Sequence, residues 1–80
     1  MIFTKNEHLT AAEVRKLPVG SVVELHGYDR FGVPTTLECT VVKSVKSRIM
    51  TYHDWMGNLY KKPIKDYPNK YYTLKKRGEG

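Results

Sequence analysis

The sequence predicts a small, mainly β domain: a strongly bent, five-stranded antiparallel barrel with one short N-terminal helix. Three observations predict it. Only one segment carries helix signals, and it is about two turns long. The segments after it alternate apolar and polar residues or are rich in β-branched ones. Turn residues separate these segments at short intervals along an 80-residue chain, which leaves room for one domain.

The helix is read from "LTAAEVRKLPVG", in which Thr10 and Glu13 form a T-x-x-E capping box. Leu9 and Val14 take the hydrophobic-staple positions, and Leu17 is pushed out of the α region by Pro18. The expected helix therefore lies within 9–17, presents Val14 and Leu17 on one face, and must pack on something to persist. "SVVELHG" then alternates, with Val23 and Leu25 on one face and Glu24 and His26 on the other. "YDRFGVP" breaks it with Gly32 and Pro34, and Asp29–Arg30 make a turn.

"TTLECTVVKSV" (35–45) is the longest expected strand, with Leu37, Cys39, Val41 and Val45 inward. Lys43 breaks that register, so a bulge or bend is expected near Val42–Lys43. "KSRIMTYH" (46–53) reads as the third strand, "DWMGN" as a hairpin loop and "LYKK" as the fourth strand. Pro63 and Pro68 bracket an irregular basic link before "KYYTLKK" (70–76), in which Tyr72 and Leu74 oppose Tyr71 and Thr73. Residues 1–8 read as a flexible arm, 21–76 as the barrel and 77–80 as a frayed tail, with no internal repeat.

An OB-fold would place a helix between its third and fourth strands, and residues 53–70 offer none, so an SH3-like barrel is expected. The stretch "LPVGSVVELHGYDRFG...CTVVKSV", residues 17–45, also resembles the opening of SH3-like and KOW-type barrel modules. Gly20, Val22, Val23 and Gly32 carry the resemblance, while Cys39-Thr40 stand where the family has a glycine. Such modules bind RNA, DNA or other proteins, so the resemblance implies binding and no particular activity.

Charge is the strongest functional signal. Residues 1–40 hold four Lys/Arg against five Asp/Glu, a net of −1, and residues 41–80 hold ten against three, a net of +7, which sum to the chain's +6. A one-sided excess of that kind points to an anionic partner, and nucleic acid is the commonest. Six of the nine aromatic residues lie in the same basic half: Tyr52, Trp55, Tyr60, Tyr67, Tyr71 and Tyr72. Cations neutralise phosphates while aromatic faces stack bases.

The candidate binding residues are Arg48, Lys61, Lys62, Lys65 and Lys70 for charge, with Trp55, Tyr60 and Tyr71 for stacking. The competing readings are structural: Trp55 as a lid on the core, Tyr72, Tyr52 and Tyr60 as core or rim, and Lys61-Lys62 as an edge guard. The expected partner is DNA or RNA bound with low sequence specificity. The alternative is a regulatory module, phage or mobile-element encoded, that docks on an acidic protein surface.

Catalysis is not expected. His53 and Asp54 are neighbours that point to opposite faces of a strand, and Cys39 sits on an apolar register where a thiol is a poor thiolate. No phosphate loop, H-x-x-x-H or paired carboxylates are present. No cofactor or metal is expected, since zinc would need three ligands beyond Cys39 from scattered residues. No apolar run nears the roughly 18 residues needed to cross a bilayer, and "MIFTKNEHLT" is not a signal peptide. The expected setting is the cytoplasm (the host's, for a phage protein) with no membrane partner, as a monomer or an edge-paired dimer.

Overall fold

A computed structural model describes residues 8–78. The elements run α1 (Ala11–Arg15), β1 (Val22–Tyr28), β2 (Pro34–Lys43), β3 (Arg48–His53), β4 (Leu59–Lys62) and β5 (Tyr71–Lys76). The five strands form one antiparallel sheet in the order β4-β3-β2-β1-β5. The domain is thus mainly β, with one short helix.

Helix α1 starts where the capping box places it. Glu13 N donates to Thr10 Oγ1 at 3.2 Å, and Thr10 N donates to Glu13 Oε1 at 2.8 Å. The helix stops at Arg15, and the next turn is held by Leu17 N donating to Val14 O ahead of Pro18. Ala11, Val14 and Leu17 bury against one sheet face, meeting Val23, Leu25, Cys39, Val41, Met50 and Tyr72, with Ile64 from the link. The alternation read from the sequence places Val23, Leu25, Cys39, Val41 and Tyr72 inward as expected.

The sheet is not a closed barrel, which corrects the sequence expectation. Closure needs β4 to pair with β5, yet these strands are the two edges. The physical reason lies in the 63–70 link. Strand β4 ends after four residues at Pro63, which has no amide to donate. The link then fills the seam with side chains in place of a ladder. Ile64 is buried, Asp66 Oδ1 accepts from Ala11 N at 2.9 Å, and Arg15 Nη2 donates to Ile64 O. The Tyr72 hydroxyl crosses from β5 to donate to Lys65 O at 2.7 Å.

Two further expectations need correction. No bulge occurs at Val42–Lys43: β2 stays in regular register through Lys43, opposite Arg48, and then ends. Among the described residues the one register shift lies between Val22 and Val23, in the β1–β5 pairing. Val45 is fully exposed, because it sits in the tight turn that Ser44 and Ser47 close, and not in a strand. The ring of His8, the last residue of the expected arm, stacks on Tyr71 at 3.8 Å. The remainder of the expected arm, 1–7, and residues 79–80 of the expected tail lie outside the described residues, while Gly78 N donates to Ser21 Oγ at 2.8 Å.

Burial leaves a signature in the acid–base chemistry of the core. It pushes the Tyr72 phenol from 10.0 up to about 12, against the opposing effect of its bond to Lys65 O, and the Cys39 thiol from 9.0 up to about 11. The folded state therefore holds both protons more tightly than the unfolded chain. The resulting stability is complete below pH 9 and is lost as pH rises through about 11 and 12, on the order of 2 kcal/mol for each group. Urea midpoints measured from pH 8 to 11.5 are expected to fall, and to fall less in Tyr72→Phe. A flat profile would show that neither proton is linked to folding.

Candidate functional site

Antiparallel succession puts the 29–33 and 54–58 hairpin loops at one end of the sheet and the 44–47 turn at the other. The two loops at the first end are built alike. In "DRFGV", Asp29 N donates to Val33 O and Gly32 N to Asp29 O, while Asp29 Oδ1 accepts from the amides of Phe31 and Val33. In "DWMGN", Asp54 N donates to Asn58 O and Gly57 N to Asp54 O, while Asp54 Oδ1 accepts from the amides of Met56 and Asn58. Gly32 and Gly57 supply the positive φ the turn requires, +79° and +86°. An Asp-x-apolar-Gly turn thus occurs twice, a local repeat that the sequence reading did not register.

Each carboxylate is spent on its own loop. Burial alone would raise the Asp54 carboxyl, but hydrogen bonds from the Asn58 amide and side chain, the Tyr60 hydroxyl and the Met56 amide hold it below its usual range. With the aspartates occupied, the loops display their apolar residues. Trp55 is 91% exposed, Met56 66% and Phe31 78%, with Arg30 lying 5.2 Å over the Phe31 ring. Trp55 is therefore no lid on the core. Two strand spacings, about 10 Å, separate the two hairpins.

Seven of the eight candidate residues fall into three groups, and Arg48 stands apart. Trp55, Tyr60 and Lys61 belong to the β3–β4 hairpin, where Tyr60 stacks on Tyr52 at 5.4 Å and donates to Asp54 Oδ2. Lys62 and Lys65 converge on Tyr67, their ammonium groups 4.4 and 5.1 Å from its ring centre. Lys70 and Tyr71 lie at the opposite sheet edge, with the Lys70 stem across Gly27. The Tyr71 ring is stacked with His8 and, at 4.8 Å, with His26. His26 in turn is fixed by Thr73 Oγ1 at 2.7 Å and Thr36 Oγ1 at 3.3 Å. A base reaching Tyr71 has to compete with these imidazoles.

Arg48 sits at the far end of β3 and has a structural duty: its Nη1 donates to Arg15 O at 2.9 Å, tying the end of α1 to the sheet. A hydrogen-bonded path therefore runs from the end of β4 through Ile64 O to Arg15, and from Arg15 O to Arg48. Along it lie Lys62, Lys65, Arg15 and Arg48, a basic strip beside the β4 edge that leads away from Trp55, while Lys61, opposite Thr51, projects from the other face of that edge. Sequence reasoning missed Arg15 and Phe31, and counted Tyr67 among the basic-half aromatics without placing it in the site. The repeated Asp-x-x-Gly spacing pointed to Phe31; nothing local pointed to Arg15.

Among the described residues Lys75–Glu38, at 3.0 Å, is the only contact between a Lys or Arg and a carboxylate within 4 Å, so no cation of the strip is tied up in an ion pair there. Cys39 is fully buried, which removes it from any surface chemistry. Among the described residues no group of three or more His, Cys, Asp or Glu is placed to hold a metal, and no helix is long and apolar enough to cross a membrane. No protein-family model matches the chain, and comparison with curated proteins and with solved structures found no match.

Proposed function

We propose that this domain is an SH3-like module, open at its β4–β5 seam, that binds single-stranded nucleic acid along the β4 edge without strong sequence preference. The strand order supports the fold reading: β1 to β4 form a meander and β5 returns beside β1. One observation carries the function, the continuity of an exposed aromatic tip with a basic strip. Trp55 and Phe31 offer flat faces to bases, and Lys61, Lys62, Lys65 and Arg15 follow as phosphate partners. The length of β3, six residues, spans ~20 Å, enough for on the order of 4–6 nucleotides.

The exposed apolar tips also favour a second reading, docking on an acidic protein surface, in which Trp55 and Phe31 act as anchors. Trp55→Ala in a salt series separates the two. Under the nucleic-acid reading, affinity for a thymidine oligomer falls by about tenfold while the melting temperature stays within a few degrees. An oligomer that fails to bind the parent protein even at low salt leaves the protein-docking reading in its place.

A further inference from the structure

We infer that the concavity at the β2–β3 turn seats a phosphate monoester dianion, the kind of group that ends a nucleic-acid strand. It lies at the far end of the basic strip and is lined by Val19 and by the whole turn from Lys43 to Arg48, Val45 included, with a volume of about 240 Å³. Three cations share one recess whose lining contains no carboxylate, more positive charge than a single phosphodiester carries in negative.

The recess is built, not a chance meeting of long side chains. Three hydrogen bonds join Ser44 to Ser47 and a fourth runs from Ser47 Oγ to Arg48 O, leaving the amides of Val45 and Lys46 outside them. The Arg48 guanidinium is pinned by its bond to Arg15 O, and its Nε is buried without an acceptor. A guanidinium held at one corner keeps its remaining donors in a fixed fork, the arrangement that suits phosphate oxygens. In "KSVKSR" two lysines, two serines and an arginine thus surround one small volume.

For a strand-borne phosphate the inference rests on the nucleic-acid reading; a free phosphate would need only the recess. The test uses thymidine hexamers carrying a 5′-phosphate, a 3′-phosphate or neither, alongside inorganic phosphate followed by amide NMR. One terminally phosphorylated hexamer is expected to bind about tenfold tighter than the hydroxyl form. That gain is expected to fade as pH falls below about 6, where the dianion takes up a proton. Lys46→Ala, an exposed turn position, removes the gain, whereas Lys75→Ala, which deletes an equal charge on another strand, keeps it.

Equal binding of all three hexamers, with a steep salt slope, overturns the phosphate seat and leaves the strand reading standing. If no hexamer binds but inorganic phosphate shifts the amides of 43–48 in the parent and not in Lys46→Ala, the seat stands with a free phosphate as its occupant. Silence in both arms overturns the seat and the strand reading together.

Discussion

Tyr72→Ala is expected to be the most destabilising single truncation in this domain, removing ~3–5 kcal/mol of its stability. The side chain is 2% exposed and lies on the sheet's covered face at the β5 edge, opposite Leu25 on β1. Its hydroxyl closes the seam by donating to Lys65 O, and its backbone oxygen accepts from Leu9 N at 2.8 Å, fastening the approach to α1. Truncating a buried aromatic costs ~3–5 kcal/mol, against a total of roughly 4–12 kcal/mol for a chain this size. Tyr72→Phe keeps the ring and loses only the hydrogen bond, so it is expected to cost about 1–2 kcal/mol. Urea melts followed by far-ultraviolet circular dichroism rank the pair. An alanine variant that melts within a few degrees of the parent would mean that the seam is not held through this residue.

The parts of the fold legible in the sequence are those decided over a few residues. The Thr10–Glu13 box and the stop at Pro18 are local, and the structure carries both. The inward set Val23, Leu25, Cys39 and Val41 follows from period-two alternation across one pleated face. Val45 escaped because a strand's end is set by its partner: Lys43 pairs with Arg48, and the chain must turn between them. The open seam escaped for a related reason. Nothing in "PIKDYP" by itself says that Ile64 enters the core or that Asp66 caps Ala11, contacts that span 50 or so residues of sequence.

Thr73 shows the limit of the alternation argument from the other direction. It lies on the face opposite Tyr72, where exposure was expected, and is nonetheless 3% exposed. The cause is His26, which hydrogen-bonds to it and shelters it together with Tyr71. The same packing turns Tyr71 from an obvious stacking platform into the middle of an aromatic cluster. For the candidate site, the excess of charge in the second half was legible, but its direction was not. Only the strand order reveals that Lys62 and Lys65 continue towards Arg15 and Arg48 while Lys70 lies at the other edge.

Reversing the lysines along the β4 edge tests that direction with the largest expected effect on binding. Lys61→Glu, Lys62→Glu and Lys65→Glu together change the net charge by 3 × (−2), from +6 to 0. Losing three phosphate partners lowers the salt slope for a single strand by about 2. The three carboxylates also repel the strand, so affinity at low salt is expected to drop by at least about a hundredfold. Stability suffers far less, since these side chains lie outside the core and only the contacts to Tyr67 are lost, at about 0.5–1 kcal/mol each. Reversing Lys70, Lys75 and Lys76 at the opposite edge serves as the comparison, because it makes the same 3 × (−2) change in net charge from the other side of the sheet. Equal losses from both variants would mean that net charge alone attracts the strand and that the β4 edge is no track. A loss confined to the first variant, with the slope reduced, is the result that a strand laid along β4 requires.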